Sequence, residues 1–310
     1  MRSTLPNILG KEFVCINKII KKLPVQSIGD DCAVLAFGGK NLLLTVDTFS
    51  DKVHFDTKYF SLKEIGERCA EAAISDIAAM GGKPLYMALS LATPNHTSIH
   101  KLIDGVKSSL LRHGIVIVGG DTTYSKILSI SMTVIGLAAK PVYRSGAKIN
   151  DVVYITGHTG LSMAGLYAIK KKISGFKTLK DAHKSPRANI KKGLIASKHA
   201  NSMIDISDGL VSELYHLAHQ SGVDIEITSM PMNRELVRFC KKSNLSPKNF
   251  ALYGGEDYQL LLTGPGSKLS KIKGLIKIGR VVRTKGRTCV YLNKCGKRTV
   301  LDPLKGFKHF

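Results

Sequence analysis

The sequence predicts an α/β (α+β) protein built as two domains, residues 1–140 and 141–310. Three observations carry this expectation. Apolar, β-branched runs alternate with stretches of helical periodicity along the chain. The 310 residues, 44% hydrophobic and 22% charged, suffice for one large or two medium domains with buried cores. The segment "AKPVYRSGAKINDVVYITG" breaks a strand with Pro141 and a Ser-Gly turn before a new strand begins, which puts the boundary near residue 140.

Taken in order, the opening "MRSTLPNILGKEFVCINKIIKK" reads as an amphipathic helix of a mature cytoplasmic chain, because no continuous apolar segment precedes a small-residue cleavage site. Strands are expected at 42–46 (LLLTV), 86–92, 115–118 (IVIV), 128–138 (LSISMTVIGLA) and 152–156 (VVYIT), then at 223–227, 259–263 and 287–292. Helices are expected at 61–80, 96–112, 160–171, 186–199, 209–220 and 232–242. Within 61–80, Leu62, Ile65, Cys69, Ala72 and Asp76 step by three or four residues and share one face, while Glu64, Glu67, Arg68 and Glu71 fall on others. Asp76 thus continues an apolar stripe. A carboxylate there must be protonated, paired or metal-bound, or else satisfied by nearby backbone. In 209–220, Leu210, Val211, Leu214, Leu217 and Ala218 form the apolar face, with Ser207 or Asp208 as N-cap and Gly222 at the far end.

Several classes fall away. No apolar run approaches a membrane span. The six Cys contain no C-x-x-C pair, so reduced thiols are expected rather than a zinc site or a disulfide framework. The 46 Lys and Arg outnumber the 23 Asp and Glu, giving a formal charge of +23. The basic residues are spread along the chain, without a basic-aromatic repeat and without Trp, so no specific nucleic-acid partner is expected. A polyanionic substrate suits the charge better.

Against that basic background, seven carboxylates sit in Gly-, Ser- and Thr-rich motifs: "SIGDDCAVL", "LLLTVDTFSDKVHF", "AAISDIAAMGG", "IVIVGGDTTYS" and "MIDISDGLVSEL". They are Asp30, Asp31, Asp47, Asp76, Asp121, Asp205 and Asp208. Asp47 ends an apolar run. Asp121 follows another and two glycines, as if a strand opened into a tight turn, a usual ligand position in α/β folds. Any one of them could be a turn residue or a cap. Five such motifs together point to hard divalent cations, which Mg²⁺ sites share with substrate phosphates. Neither a P-loop nor a dinucleotide fingerprint is present, so phosphates would be held in another way.

In order and spacing, "IGDDCAVL", "VDTFSDKVHF", "ISDIAAMGGKPL", "VGGDTT", "RSGAK", "IDISDGL", "GGEDYQLL" and the closing "GFKHF" resemble the thiamine-monophosphate kinase family, of the aminoimidazole ribonucleotide synthetase superfamily. The resemblance spans residues 28 to 310. It implies a two-domain α/β fold whose N-terminal sheet pairs across a homodimer, and ATP-dependent conversion of thiamine monophosphate to thiamine diphosphate assisted by several Mg²⁺ ions. By motif, Asp31, Thr45, Asp47, Asp76, Asp121, Asp205 and Asp208 are expected as metal ligands, Asp208 and Asp121 being central to catalysis. Gly120, Asp121, Arg144 and Ser207 are expected at ATP, and His54, Glu256 and Phe307 at thiamine monophosphate. Asp30 is expected to support its turn. Val46, Ala73, Leu161 and His113 depart from the family pattern. Two competing readings are a synthetase of the same superfamily that activates a carbonyl oxygen, and a nucleic-acid-binding protein suggested by charge alone.

Overall fold

The structure, a computed structural model, describes residues 11–23, 28–95 and 98–306. Helix α1 (Lys11–Lys22) leads into β1 (Ala33–Phe37) and β2 (Lys40–Ser50), then α2 (Leu62–Ala79), β3 (Lys83–Thr93), α3 (Ile99–His113), β4 (Val116–Tyr124) and β5 (Ser129–Ala138). These strands form a five-stranded sheet in the order β1-β2-β5-β3-β4. Alternation along β2 buries Leu43, Thr45 and Phe49 beneath α2 and leaves Val46 on the open face at 60% exposure.

Helix α2 begins with a capping box: Ser61 Oγ accepts from the Glu64 N–H at 3.2 Å and Glu64 Oε2 accepts from the Ser61 N–H at 2.8 Å. The helix is covered on nearly every side, and even Arg68 and Glu71 are buried. Its polar faces meet α3 and the 183–188 segment instead of water: Glu71 lies 3.0 Å from His113 Nε2 and accepts from the Ala188 N–H at 2.8 Å.

The second half comprises β6 (Val152–Ile155), α4 (Leu161–Lys170), α5 (Lys177–Lys184), α6 (Ile190–Ala196), β7 (Ser202–Asp205), α7 (Leu210–Ser221), β8 (Asp224–Ile227), α8 (Arg234–Lys242), α9 (Pro247–Tyr253), β9 (Leu260–Gly264), α10 (Gly266–Leu269), β10 (Ile276–Val282), β11 (Val290–Lys294) and β12 (Lys297–Val300). Its seven strands run β12-β11-β8-β10-β6-β9-β7. A core of Ile155, Ile204, Leu214, Ile225, Leu261 and Ile278 fills the space between this sheet and α7. The last strand in that order, β7, lies near α2, so the two sheets approach one another through that helix.

Three local expectations are corrected. Asp47 does not end its strand: β2 runs on to Ser50, paired throughout with β5. Asp121 does not open a turn. The parallel ladder with β3 continues to Tyr124, and Gly120 lets β4 lie against it, since a Cβ there would meet the Leu89 carbonyl oxygen at 1.9 Å. The N-cap of α7 is Gly209, at φ 121, rather than Ser207 or Asp208. The strands β1, β7, β10 and β12 and the helices α5, α9 and α10 were not expected. They are short or, in β10, diluted by Lys277, Gly279 and Arg280.

Candidate active site

A cleft of about 650 Å³ opens between the two halves. Thr45 and Asp47 reach it from the inner face of β2, Asp76 from near the end of α2, and Asp31 from the turn before β1. Asp205 ends β7, and Ser207 and Asp208 follow it in the loop before α7. Oxygens of Asp31, Asp76 and Asp205 all lie within 4.8 Å of one another. Thr45 Oγ1 donates to Asp76 Oδ2 at 2.5 Å, and Ser75 Oγ donates to Asp205 Oδ2 at 2.7 Å.

Such crowding is unfavourable for charge. Burial, reinforced by Asp31, pushes Asp47 up to about 6. Burial, together with Asp31 and then Asp47, pushes Asp205 up to about 8 against the opposing pull of Ser75 and Arg144. Burial and the neighbouring Asp47, Asp205 and Asp31 raise Asp76 well above the carboxylate range. Asp31 Oδ2 is buried without a hydrogen-bond partner. An orphaned oxygen among mutually repelling carboxylates, with a hydroxyl alongside, is a donor set that fits a hard, oxygen-seeking divalent cation.

Arg144 is fixed from two sides: its Nη2 donates to Asp31 Oδ1 at 2.7 Å and its backbone N–H donates to Asp30 Oδ1 at 2.6 Å. Asp30 thus holds the arginine's main chain. Glu213, buried in α7, accepts from the Asp208 N–H at 3.0 Å and so orders the loop that carries Ser207 and Asp208.

Across the cleft, Glu256 and Tyr258 both have left-handed backbones, at φ 62 and 49. Non-glycine residues take this conformation at a cost, and it persists where surrounding bonds over-determine it. Here the Glu256 N–H donates to the Ser207 carbonyl at 2.6 Å and the Tyr258 N–H to Ile206 at 2.9 Å. Between them Asp257 accepts from the Ser162 N–H at 3.0 Å and from the Gly160 N–H, anchoring the start of α4. The turn thereby aims Glu256 into the cleft, where buried Arg68 pairs with it. Arg68 also donates to the His183 carbonyl, and His183 Nδ1 lies 3.7 Å from Glu256.

The sequence matches the families described as AIR synthase related protein, N-terminal domain, over residues 29–138 and C-terminal domain over residues 148–263. A thiamine-monophosphate kinase of Aquifex aeolicus is 36% identical over 308 residues, covering 96% of this chain and 98% of that protein. One of Pyrococcus horikoshii is 32% identical, covering 96% of each. The chain belongs to the thiamine-monophosphate kinase family. A solved structure of AaThiL complexed with AMPPCP and TMP superimposes with a TM-score of 0.89 at 34% identity over 100% of both chains.

Of the residues matched to the thiamine-monophosphate kinase pattern, Asp31, Thr45, Asp47, His54, Asp76, Arg144, Asp205, Ser207, Asp208 and Glu256 line this cleft. His54 Nδ1 accepts from the Ser50 N–H at 3.1 Å, and its ring meets the Phe49 ring edge-on at 5.6 Å. Gly120 and Asp121 are not brought to the cluster. In register across the sheet, Asp121 is level with Ser90, Ser131 and Thr48. Thr48 and Ser131 hydrogen-bond on the open face, opposite to Asp47. Asp121 therefore stands on the open face, three strand spacings or about 14 Å from β2. Phe307 lies outside the described residues.

The departures from the thiamine-monophosphate kinase pattern also find places. Val46 is exposed on the opposite face of β2 from Thr45 and Asp47, though it borders the cleft. Ala73 is wholly buried in α2 and Leu161 is the first residue of α4. His113 pairs with Glu71. Sequence reading missed Arg68, Glu213, Ser75 and Tyr258. Arg68 and Glu213 stand in helices where a charged residue reads as solvent-facing, and only their tertiary burial reveals a role.

Proposed function

We propose that this chain transfers the γ-phosphoryl group of ATP to the phosphate of thiamine monophosphate, giving ADP and thiamine diphosphate by direct in-line displacement. The observation that carries this reading is the convergence of six aspartates, from both halves of the chain, on one cleft containing an orphaned carboxylate oxygen. Its support is the family, together with the 34% identity to a protein solved with AMPPCP and TMP.

Asp31, Thr45, Asp47, Asp76, Asp205 and Asp208 would hold several Mg²⁺ ions, and Asp121, which stands on the open face away from them, would act as a further ligand from a second copy. Ions bound there supply the positive charge that lets two polyanions approach. Arg144, Gly120 and Ser207 would bind ATP phosphates, the arginine with two parallel donors. His54, Glu256 and Phe307 would position thiamine monophosphate. The acceptor oxygen is already largely ionised at neutral pH, so no general base is needed, and Asp208 and Asp121 act through their charge.

The working form is assigned as a cytoplasmic homodimer. Every residue of edge strand β4 is exposed, including Val116 and Val118 at 57% and Tyr124 at 74%. An uncovered apolar edge of this kind is a template for pairing with another copy. Asp121 stands on the same sheet, so a second copy closing it would border that residue. Among the described residues no helix is long and apolar enough to cross a membrane.

The test is ADP release with thiamine, thiamine monophosphate and thiamine diphosphate as alternative acceptors. Turnover with the monophosphate alone supports the reading. Turnover with a carbonyl-bearing purine precursor instead would assign the chain to the synthetase class.

A further inference from the structure

Two stretches of this chain contain no Asp or Glu, residues 182–204 and 258–301. The fold brings them together. Residues of α6 and α10, with those just after each helix, enclose a second cavity of about 600 Å³ away from the acidic cleft. Lys192, Lys198, Lys268, Lys271, Lys273 and His199 line it, with apolar Ile195 and Ile272 between them and no carboxylate among the lining residues.

Several arginines elsewhere are matched by carboxylates. Arg112 and Arg187 bond Glu67, and Arg280 and Arg298 bond Glu226. Among the described residues, Lys198, Lys268, Lys271 and Lys273 make no ion pair with any carboxylate. Lys192 is turned inward, donating to the Thr156 carbonyl and reaching the Gly274 carbonyl at 3.5 Å, so it ties one wall of the cavity to the other. Like charges facing each other across a concavity repel one another and concentrate a positive potential inside it.

The dimensions limit what could answer that potential. The volume lies in the range of small-molecule sites, about 300–1,000 Å³. A nucleic-acid surface commonly spans about 1,000 Å² or more and uses several aromatic side chains to stack bases, and no Phe, Tyr or Trp lines this cavity. We propose that the cavity binds an oligophosphate, a chain of three or more phosphoryl groups recognised through its phosphates alone, at a site separate from the acidic cleft.

The experiment is calorimetric titration of the full chain with inorganic triphosphate in the presence of a chelator, which silences any binding that needs a metal in the acidic cleft. The test variant is Lys268→Gln/Lys271→Gln/Lys273→Gln, all surface positions on a short helix and loop. The control is Lys170→Gln/Lys171→Gln/Lys172→Gln, which removes the same charge from exposed positions outside the cavity. The expected result is binding by the wild-type and control chains, weakened about tenfold or more in the test variant, the equivalent of about 1.4 kcal/mol. Equal weakening in both variants, or no binding by the wild type, would overturn the proposal. So would a single-stranded RNA that binds more tightly than triphosphate with the same sensitivity to the test variant, since the surface would then be a nucleic-acid interface.

Discussion

Arg144 donates from Nη2 to Asp31 Oδ1 at 2.7 Å, so the guanidinium assigned to nucleotide phosphate is already held by a carboxylate assigned to metal. The bond aims the arginine before substrate arrives. Its geometry needs a planar fork, which lysine lacks. Arg144→Lys is expected to raise the KM for ATP roughly tenfold, corresponding to one charged hydrogen bond of about 1.5 kcal/mol, while the KM for thiamine monophosphate changes little. Separate KM measurements decide it, and an unchanged KM for ATP would remove the arginine from the nucleotide site.

The raised carboxylates predict how cation and pH interact. Asp205, lifted from 3.8 to about 8, and Asp47, lifted to about 6, keep protons in the folded, metal-free protein that the unfolded chain has released. Where the folded state holds more protons, stability falls as pH rises. Buried His183 and His216, held well below the usual histidine range, add stability as pH rises to about 6.5, so the metal-free protein is expected to melt at progressively lower temperature between about pH 6.5 and 8. Mg²⁺ should restore the loss most strongly at the alkaline end and release protons on binding. Melting curves with and without Mg²⁺ test this, and a metal-free melting temperature that climbs across the window contradicts it.

Asp76→Asn and Asp208→Asn are each expected to lower kcat more than about 100-fold, a loss of about 2.7 kcal/mol or more of transition-state stabilisation. Asp76→Asn should leave the metal-free fold about as stable, because burial and its acidic neighbours already favour the neutral carboxyl and the amide is neutral and of the same volume. Near-normal turnover in both variants would reduce these residues to structural hydrogen-bonding groups.

The last described residue, Gly306, packs against the loop of Asp208: a Cβ on it would lie 2.9 Å from the Asp208 carbonyl oxygen. Gly306 thus lies at the lip of the cleft. With the next residue assigned to stack on the cationic substrate ring, Phe307→Ala should raise the KM for thiamine monophosphate about 2- to 30-fold, from a cation–π contribution of about 0.5–2 kcal/mol. The KM for ATP should stay nearly constant. An equal rise for both substrates, or a collapse of the melting transition, would make Phe307 a packing residue.

Val118→Lys tests the open edge. A charge in the middle of β4 blocks edge pairing. Sedimentation should report a dimer for the wild-type chain and a monomer of greatly reduced activity for the variant. A fully active wild-type monomer at micromolar concentration would refute the assembly.

The sequence made the α/β class and the longer helices legible because α2, α3 and α7 carry clear apolar periodicity. It did not reveal where β2 and β4 end. A ladder with β5 or β3 extends each past the apolar run that announced it, and pairing is a tertiary fact. The cleft carboxylates could be found because an Asp in a Gly- or Ser-rich motif is conspicuous in so basic a chain. Arg68 and Glu213 were hidden because a charged residue in a helix normally faces water. Only the covering of α2 and α7 turns them inward. The open-face position of Asp121 depends on strand order, which local pattern does not encode.

Asp31, Asp47 and Asp76 come from before the linker around residue 140, and Asp205 and Asp208 from after it. Neither half inherits a complete site. A gene cut in that linker would yield two fragments, each holding only part of the carboxylate set, and a recombinant taking one half from a distant relative would have to match carboxylate positions it did not evolve beside. Each half nonetheless has its own sheet and its own core.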